Sequence, residues 1–337
     1  MRAPGWGMRA PGWGMRAPGW AERAPRPGSG GGGRAGRPRS VAVVRVVSLL
    51  PSATEILFAL GAGDDVVGVT FECDHPAEAR SRRIVSTSAM PPGLTPAEID
   101  AVVAERMRAG EDLYRLDAGA LSDLDADLVV TQDLCAVCAV DVSVVDDALA
   151  HLGCRAEVLT LDPQTLDDVL GSVLTLGKAT GTEAAADELV TGLRARLAAV
   201  AAAVAGQAPV PVMVLEWTDP PFTPGHWVPD MVTAAGGRPV LGASGARSER
   251  TTWEAVAAAS PAVVVAAPCG FGLGESARLA AGAADRAPAG VPLWAVDANA
   301  SFARPGPRLV DGVEALAAIL HPEAGVRLDP SIATRVA

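Results

Sequence analysis

The sequence predicts an α/β protein of two Rossmann-like lobes with parallel sheets, joined by a long helical connector, with a ligand cleft between the lobes. Three features carry that expectation. An apolar strand running into a Ser/Thr/Pro-rich loop and then a helix occurs twice: at Val43-Val44-Arg45-Val46-Val47-Ser48-Leu49-Leu50-Pro51-Ser52-Ala53-Thr54-Glu55-Ile56-Leu57, and from Val212-Met213-Val214-Leu215-Glu216-Trp217 through Pro220-Pro221-Phe222-Thr223 to His226-Trp227. Most strand candidates are continuously apolar, as strands covered on both faces are. An Ala- and Leu-rich run without proline, from Leu166 to about Ala205, separates the two copies. Ligands of open α/β sheets bind where strands end and helices begin, so the loops of two facing lobes form opposite walls of one cleft.

Residues 1–40 stand apart. Met-Arg-Ala-Pro-Gly-Trp-Gly starts at Met1, recurs at Met8 and returns almost intact at Met15, and Pro- and Gly-rich sequence without apolar periodicity follows. This composition predicts a disordered tail. It holds eight Arg and one Glu, so the rest of the chain carries −18 against −11 overall. An acidic body argues against nucleic acid as the partner.

The first lobe is expected over 41–164. Its first strand (42–49) leads into a helix from Ser52, where Ser52 and Glu55 have the spacing of a capping box. Gly61 and Gly63 end that helix, Val66-Val67-Gly68-Val69-Thr70 is the next strand, and Phe71-Glu72-Cys73-Asp74-His75-Pro76 closes it. Ile99, Val102, Val103 and Met107 recur at helical spacing within 96–109, and Leu121 and Leu124 lead through a short helix into strand 128–131. A helix at 142–152 and a strand at 155–160 complete the lobe. The connector spans 165–207, with Gly181 its expected weak point.

The second lobe, 208–325, repeats the grammar. Strand 211–216, a helix from Trp227 to Ala235, a helix at 252–259, strands 262–267 and 291–296, and a last helix at 308–320 ending before Pro322 follow in order. Residues 326–337 are expected to form a tail. A helical connector between lobes predicts limited hinge opening.

No uninterrupted apolar segment resembling a secretory signal precedes Val41, and no window reaches the roughly 18 apolar residues of a membrane span. The expectation is a cytoplasmic monomer, or an extracytoplasmic one if translation starts elsewhere. Five cysteines, two of them spaced C-x-x-C, read as thiols or ligands rather than a disulfide framework.

Two residue groups could carry chemistry. Cys73, His75, Cys135 and Cys138 lie just beyond two strands of one lobe, and thiolate and imidazole suit zinc or iron. The alternative is that Cys135 and Cys138 are small buried residues. Phe71, Trp217, Phe222, His226, Trp227 and Phe302 place aromatic surface in cleft loops, which suits a large flat ligand, or else ordinary packing between lobes. Enzyme signals are weak: Gly270-Phe271-Gly272-Leu273-Gly274 lacks dinucleotide-binding spacing, and neither a phosphate loop nor a nucleophile elbow is present. Glu216 and Asp219 lack a histidine base and are assigned binding or structural roles. No enzyme is expected.

The motifs Ser48-Leu49-Leu50-Pro51-Ser52-Ala53-Thr54-Glu55, Val67-Gly68-Val69 followed by Asp74-His75-Pro76, Pro220-Pro221-Phe222-Thr223, Ser260-Pro261 and Arg304-Pro305-Gly306-Pro307-Arg308 are similar to those of a known family. From about Val43 to His321 the chain resembles the iron-chelate and cobalamin substrate-binding proteins of ABC importers, whose two lobes are joined by a rigid helix. The resemblance implies capture of a metal chelate between lobes and docking to a permease through one glutamate per lobe. Glu254 matches the second-lobe position, whereas Ala118-Gly119-Ala120 offers no glutamate, with only Asp117 nearby. The Cys135/Cys138 pair is outside the family pattern. With few basic residues in the cleft loops, mainly Arg304 and then Arg247 and Arg250, a near-neutral corrinoid ranks above an anionic chelate or haem. The expected ligand-binding set is Ser52, Phe71, Glu72, Gln132, Trp217, Phe222, His226, Trp227, Phe302 and Arg304. The competing reading is a cytoplasmic metalloprotein whose Cys/His site performs redox or corrinoid-handling chemistry.

Overall fold

The structure is a computed structural model describing residues 44–132, apart from 92, 110, 112 and 122, and residues 156–337. In the first lobe the short apolar runs form β1 (Val46–Ser48), β2 (Val66–Val69), β3 (Arg83–Ile84), β6 (Leu128–Thr131) and β7 (Glu157–Thr160). They pair in parallel in the order β3-β2-β1-β6-β7. The fully buried β1 and β6 hold the centre, as expected for strands covered on both faces. Helix α1 (Pro51–Ala59) follows β1 directly, opening with proline, which has no backbone N–H to leave unpaired at a first turn. The expected capping box does not form: Leu50 occupies the cap position without a side-chain bond, and the Glu55 carboxylate is taken by two arginines of the second lobe.

An excursion interrupts the lobe. Strands β4 (Ser86–Ser88) and β5 (Tyr114–Leu116) pair antiparallel and carry between them α2 (Pro96–Ala109), which has no buried residue. Helix α3 (Ala118–Leu121) then leads toward β6. The expected helix at 142–152 lies outside the described residues.

The connector is a hairpin of two helices rather than one spanning helix. Helix α4 (Leu166–Thr180) begins with a true capping box between Thr165 and Asp168 and ends at Gly181, whose φ of 67° is a left-handed conformation that glycine adopts without strain. Helix α5 (Glu183–Ala203) runs back antiparallel: Gly177 approaches Ala186 near the turn, and Arg194 reaches Asp167 toward the open end. The hairpin belongs to both cores. Leu170, Val173, Leu176, Ala186, Val190 and Leu193 pack in the first lobe, while Leu166, Val169 and Val200 pack in the second.

The second lobe contains β8 (Val210–Leu215), the small ribbon β9 (Trp217–Thr218) and β10 (Pro221–Phe222), α6 (Val228–Ala234), β11 (Gly237–Pro239), α7 (Trp253–Ala258), β12 (Val263–Ala266), α8 (Leu273–Ala283), β13 (Leu293–Val296), α9 (Ala298–Ser301), α10 (Leu309–Leu320) and β14 (Ala333–Arg335). Its main sheet runs β11-β8-β12-β13-β14, parallel except for the last pair. Residues 326–337 are therefore not a simple tail. Ala333 is buried opposite Val296, and β14 supplies an antiparallel edge to the sheet.

A methyl group at Gly177 would lie 2.5 Å from the Ala186 Cβ, whereas one at the exposed Gly192 would meet nothing within 4 Å. Gly177→Ala is expected to lose stability, because overpacking two backbone-anchored groups costs about 1–3 kcal/mol and outweighs a helix-propensity gain of at most about 1 kcal/mol. Gly192→Ala is expected to gain up to about 1 kcal/mol. Urea unfolding of both variants checks the opposite signs.

Candidate functional site

The carboxyl ends of the two sheets face each other, and charge joins them at one edge. Asp297 caps α9 by accepting the Ala300 N–H at 2.9 Å, and the segment Arg304-Pro305-Gly306-Pro307-Arg308 then turns toward the first lobe. Its two prolines stiffen the backbone, and Gly306 lies against Ser52. Both guanidiniums thereby reach Glu55 of α1. Arg304 Nη1 donates to Glu55 Oε1 at 3.2 Å and also to Asp74, while its Nη2 donates to the Glu72 carbonyl at 2.9 Å. Arg308 Nε donates to Glu55 Oε2 at 2.9 Å, and Arg308 Nη2 donates to Glu55 Oε1. The Glu55 and Arg304 side chains are only 3% and 9% exposed.

Burial by itself would lower the Arg304 pKa, but Asp74 and Glu55 more than reverse this and hold it above its ordinary value. Burial likewise pushes the Asp74 carboxyl up, yet bonding to Arg304 and the charges of Arg304 and Arg80 leave it below the ordinary range. Next to this cluster is a cavity of about 350 Å³, lined by Asp74 and His75 from the first lobe and by Gly272, Asp297, Asn299 and Arg308 from the second.

On the first wall, Phe71 is exposed and packs on Tyr114 with ring centroids 5.9 Å apart. The Tyr114 hydroxyl donates to Glu72 Oε2 at 2.9 Å. Burial raises the Glu72 pKa, and the bond from Tyr114 and the Arg304 charge only partly oppose it. On the second wall Trp217 packs on Phe271 at 5.7 Å, and Phe222 lies 5.9 Å from the Arg250 guanidinium. Gln132 stands at the end of β6, 3% exposed, and among the described residues its Oε1 has no hydrogen-bond partner.

Other expected residues take structural places. Trp227 donates its indole N–H to the Phe302 carbonyl at 2.7 Å, and both rings belong to the core of the second lobe, 6% and 1% exposed. They do not form cleft surface, because each is an apolar body whose polar requirement is met internally. His226 has a left-handed φ of 49° and bonds through its backbone to Ala246 and Gly245. Its ring rests against Trp227, its Nε2 is buried without a partner, and burial and Arg247 lower its pKa. Ser52 is buried at the junction with Gly306. Glu216 accepts the Gly225 N–H, and Asp219 pairs with Arg286.

Of the expected metal set, the two described members face different ways. Cys73 is in the core of the first lobe, 3.0 Å from Thr54 Oγ1, with its thiol pushed up to about 11 chiefly by burial, so it offers no thiolate. His75 is exposed on the cavity side. Among the described residues no three His, Cys, Asp or Glu side chains are grouped to hold a metal. Cys135 and Cys138 lie outside the described residues. Glu254 is exposed on the first turn of α7, while Asp117 caps α3 by accepting the Ala120 N–H.

Residues 46–286 match the periplasmic binding protein family. The chain belongs to that family. A curated relative, the uncharacterized ABC transporter substrate-binding lipoprotein YvrC of Bacillus subtilis (strain 168), is 27% identical over 299 residues, covering 83% of this chain and 80% of its own. Among solved structures, a periplasmic heme binding protein from Pseudomonas aeruginosa shares the fold with a TM-score of 0.64 at 23% identity, over 86% of this chain and 96% of that one. The periplasmic vitamin B12 binding protein BtuF of Vibrio cholerae gives 0.60 at 19%, over 84% and 98%. The periplasmic heme binding protein HutB of the same organism gives 0.62 at 19%, over 83% and 100%. These matches overturn the cytoplasmic placement: the family is periplasmic, and the curated relative is a lipoprotein. The folded body of such a protein carries no sign of its compartment, so its composition is no guide to where it works.

Sequence reasoning missed Phe271 and Arg308 as cleft residues, and Tyr114 as the buried ring that backs Phe71 and bonds Glu72. Tyr114 is the single tyrosine of the chain, and that rarity was the available signal. Phe271 lies in a glycine-rich loop without motif spacing, and Arg308 closes the Arg-Pro-Gly-Pro-Arg motif, whose symmetry about Gly306 marks both arginines alike.

Two outcomes follow from this geometry. Glu55→Gln leaves two arginines facing a lost charge, and breaking such a buried pair is expected to cost about 3–5 kcal/mol, read by denaturant unfolding; a loss under about 1 kcal/mol would refute the burial argument. Glu72 has a raised pKa in the fold, so its ionised form is disfavoured there, with no penalty below the unfolded-state pKa and the full penalty above the folded one. Glu72→Gln is therefore expected to be more stable than the parent at about pH 8 and equal to it at about pH 4, with the difference growing through the interval between.

Proposed function

We propose that this protein is a non-enzymatic substrate-binding protein that captures cobalamin or a related corrinoid between its lobes and delivers it to an ABC importer. The carrying observation is the charge of the cleft. Arg304 and Arg308 are engaged by Glu55 and Asp74, and Arg250 is paired with Asp100, while Asp297 adds further acid to the cavity lining. Neither Arg304 nor Arg308 is left to receive a ligand carboxylate. A corrinoid presents amide groups around a flat ring, whereas haem presents propionates and ferric chelates are often anionic. Phe71, backed by the buried Tyr114, and the Trp217–Phe271 pair offer apolar surface on both walls.

The 350 Å³ cavity is at the small end of the ligand-pocket range, roughly 300–1,000 Å³. A macrocycle then requires the lobes to part. Membership of the family and the lipoprotein relative support delivery to a permease, with the exposed Glu254 as the second-lobe contact.

Haem is the second reading, favoured by the heme-binding neighbours and by a phenol at the cleft, a group that ligates haem iron in some proteins. Against it, the Tyr114 hydroxyl is bonded to Glu72.

Visible-spectrum titration of the full chain with cyanocobalamin and with haemin separates the two. Cyanocobalamin is expected to bind at micromolar or tighter Kd and haemin more weakly, with Trp217→Ala weakening the corrinoid by about tenfold or more, as for a buried aromatic anchor. Tighter haemin binding would reverse the ranking, and retention of neither would sink the proposal.

A further inference from the structure

Helix α2 buries none of its residues, yet its first turn is bonded to the opposite lobe. It leaves the first lobe on the β4–β5 ribbon and reaches β9 and Arg250. The Pro96 carbonyl accepts the Trp217 indole N–H at 3.2 Å, and the same N–H is shared with the Asp219 carbonyl at 3.2 Å. One turn along, Asp100 pairs with Arg250. Arg250 is itself held on the second lobe, since it bridges Phe222 through the backbone and stacks on that ring. One acceptor of Trp217 thus belongs to each lobe, and the ring they orient is the one packed on Phe271.

The two edges of the cleft differ in strength. At one, Glu55 and Arg304 are almost wholly buried, and breaking such a pair is strongly destabilising. At the other, the Arg250 side chain is 56% exposed and that of Asp100 15%, and an ion pair open to solvent on one side contributes less than one buried on both. The α2 edge is the weaker of the two.

We infer that α2 is a clasp across the cleft: Asp100 and Arg250 are positioning residues that act through Trp217, fixing its ring in the ligand-facing wall when closed and freeing the entrance when open. The role of Trp217 toward ligand rests on the function proposed above, but the clasp itself does not require a bound ligand to be detected.

The test uses the full chain with Asp100→Ala, Arg250→Ala and the charge exchange Asp100→Arg with Arg250→Asp. Near-ultraviolet circular dichroism reports Trp217 through the band that Trp217→Phe removes, and stopped-flow release of cyanocobalamin reports the entrance. Each single variant is expected to alter that band and to speed release by about two- to fivefold, the range set by an exposed ion pair. The charge exchange is expected to restore both. A band and a release rate unchanged in the single variants overturn the clasp, as does an exchanged pair no closer to the parent than either single variant. A band that follows the ion pair in a protein that binds no cyanocobalamin supports the clasp and removes the corrinoid reading instead.

Discussion

The Glu55 carboxylate, shared by Arg304 and Arg308, governs how the two lobes sit and what their cleft can hold. A carboxylate this buried is tolerated only while its bonds are complete. It stands on α1, directly after the central strand of the first lobe, and its partners are four residues apart on a proline-stiffened turn of the second lobe. The pairing is satisfied in one relative placement of the lobes and costly in others, so it sets their register as well as joining them. The helical hairpin carries the apolar part of the same task, contributing side chains to both cores.

That cluster also decides the chemistry of the cleft. By engaging Arg304 and Arg308 it leaves fewer free guanidiniums at this edge of the cleft, and Asp74 and Asp297 place acid in the cavity lining. Aromatic rings on both walls supply the apolar area. With α2 acting as the inferred clasp, a buried edge at Glu55 and a more exposed edge at α2 give a cleft that opens from one side.

Much of the fold was legible because its signals are local. Runs such as Leu128-Val129-Val130 and Val263-Val264-Val265 are apolar on both faces and suit only central strands, and the spacing of Ile99, Val102, Val103 and Met107 marked α2. The site was less legible. Ser52 and Glu55 match a capping box, but two guanidiniums from 249 and 253 residues away claim the carboxylate instead. Cys73 and His75 are near neighbours in sequence, yet one faces the core and the other the cavity. Trp227 and Phe302 stand in loops by sequence and in the core by packing.

Two lobes, the succession of strands and helices, the break at Gly181 and the acidic balance of the body can all be read from the chain alone, since periodicity, glycine placement and charge are properties of short stretches. Three other features exist only once the chain is folded: which arginines remain available to a ligand, the return of the connector upon itself, and the reach of α2 across to Trp217. Each depends on pairs of residues far apart in the chain, and a residue's partner, unlike its polarity, is not written next to it.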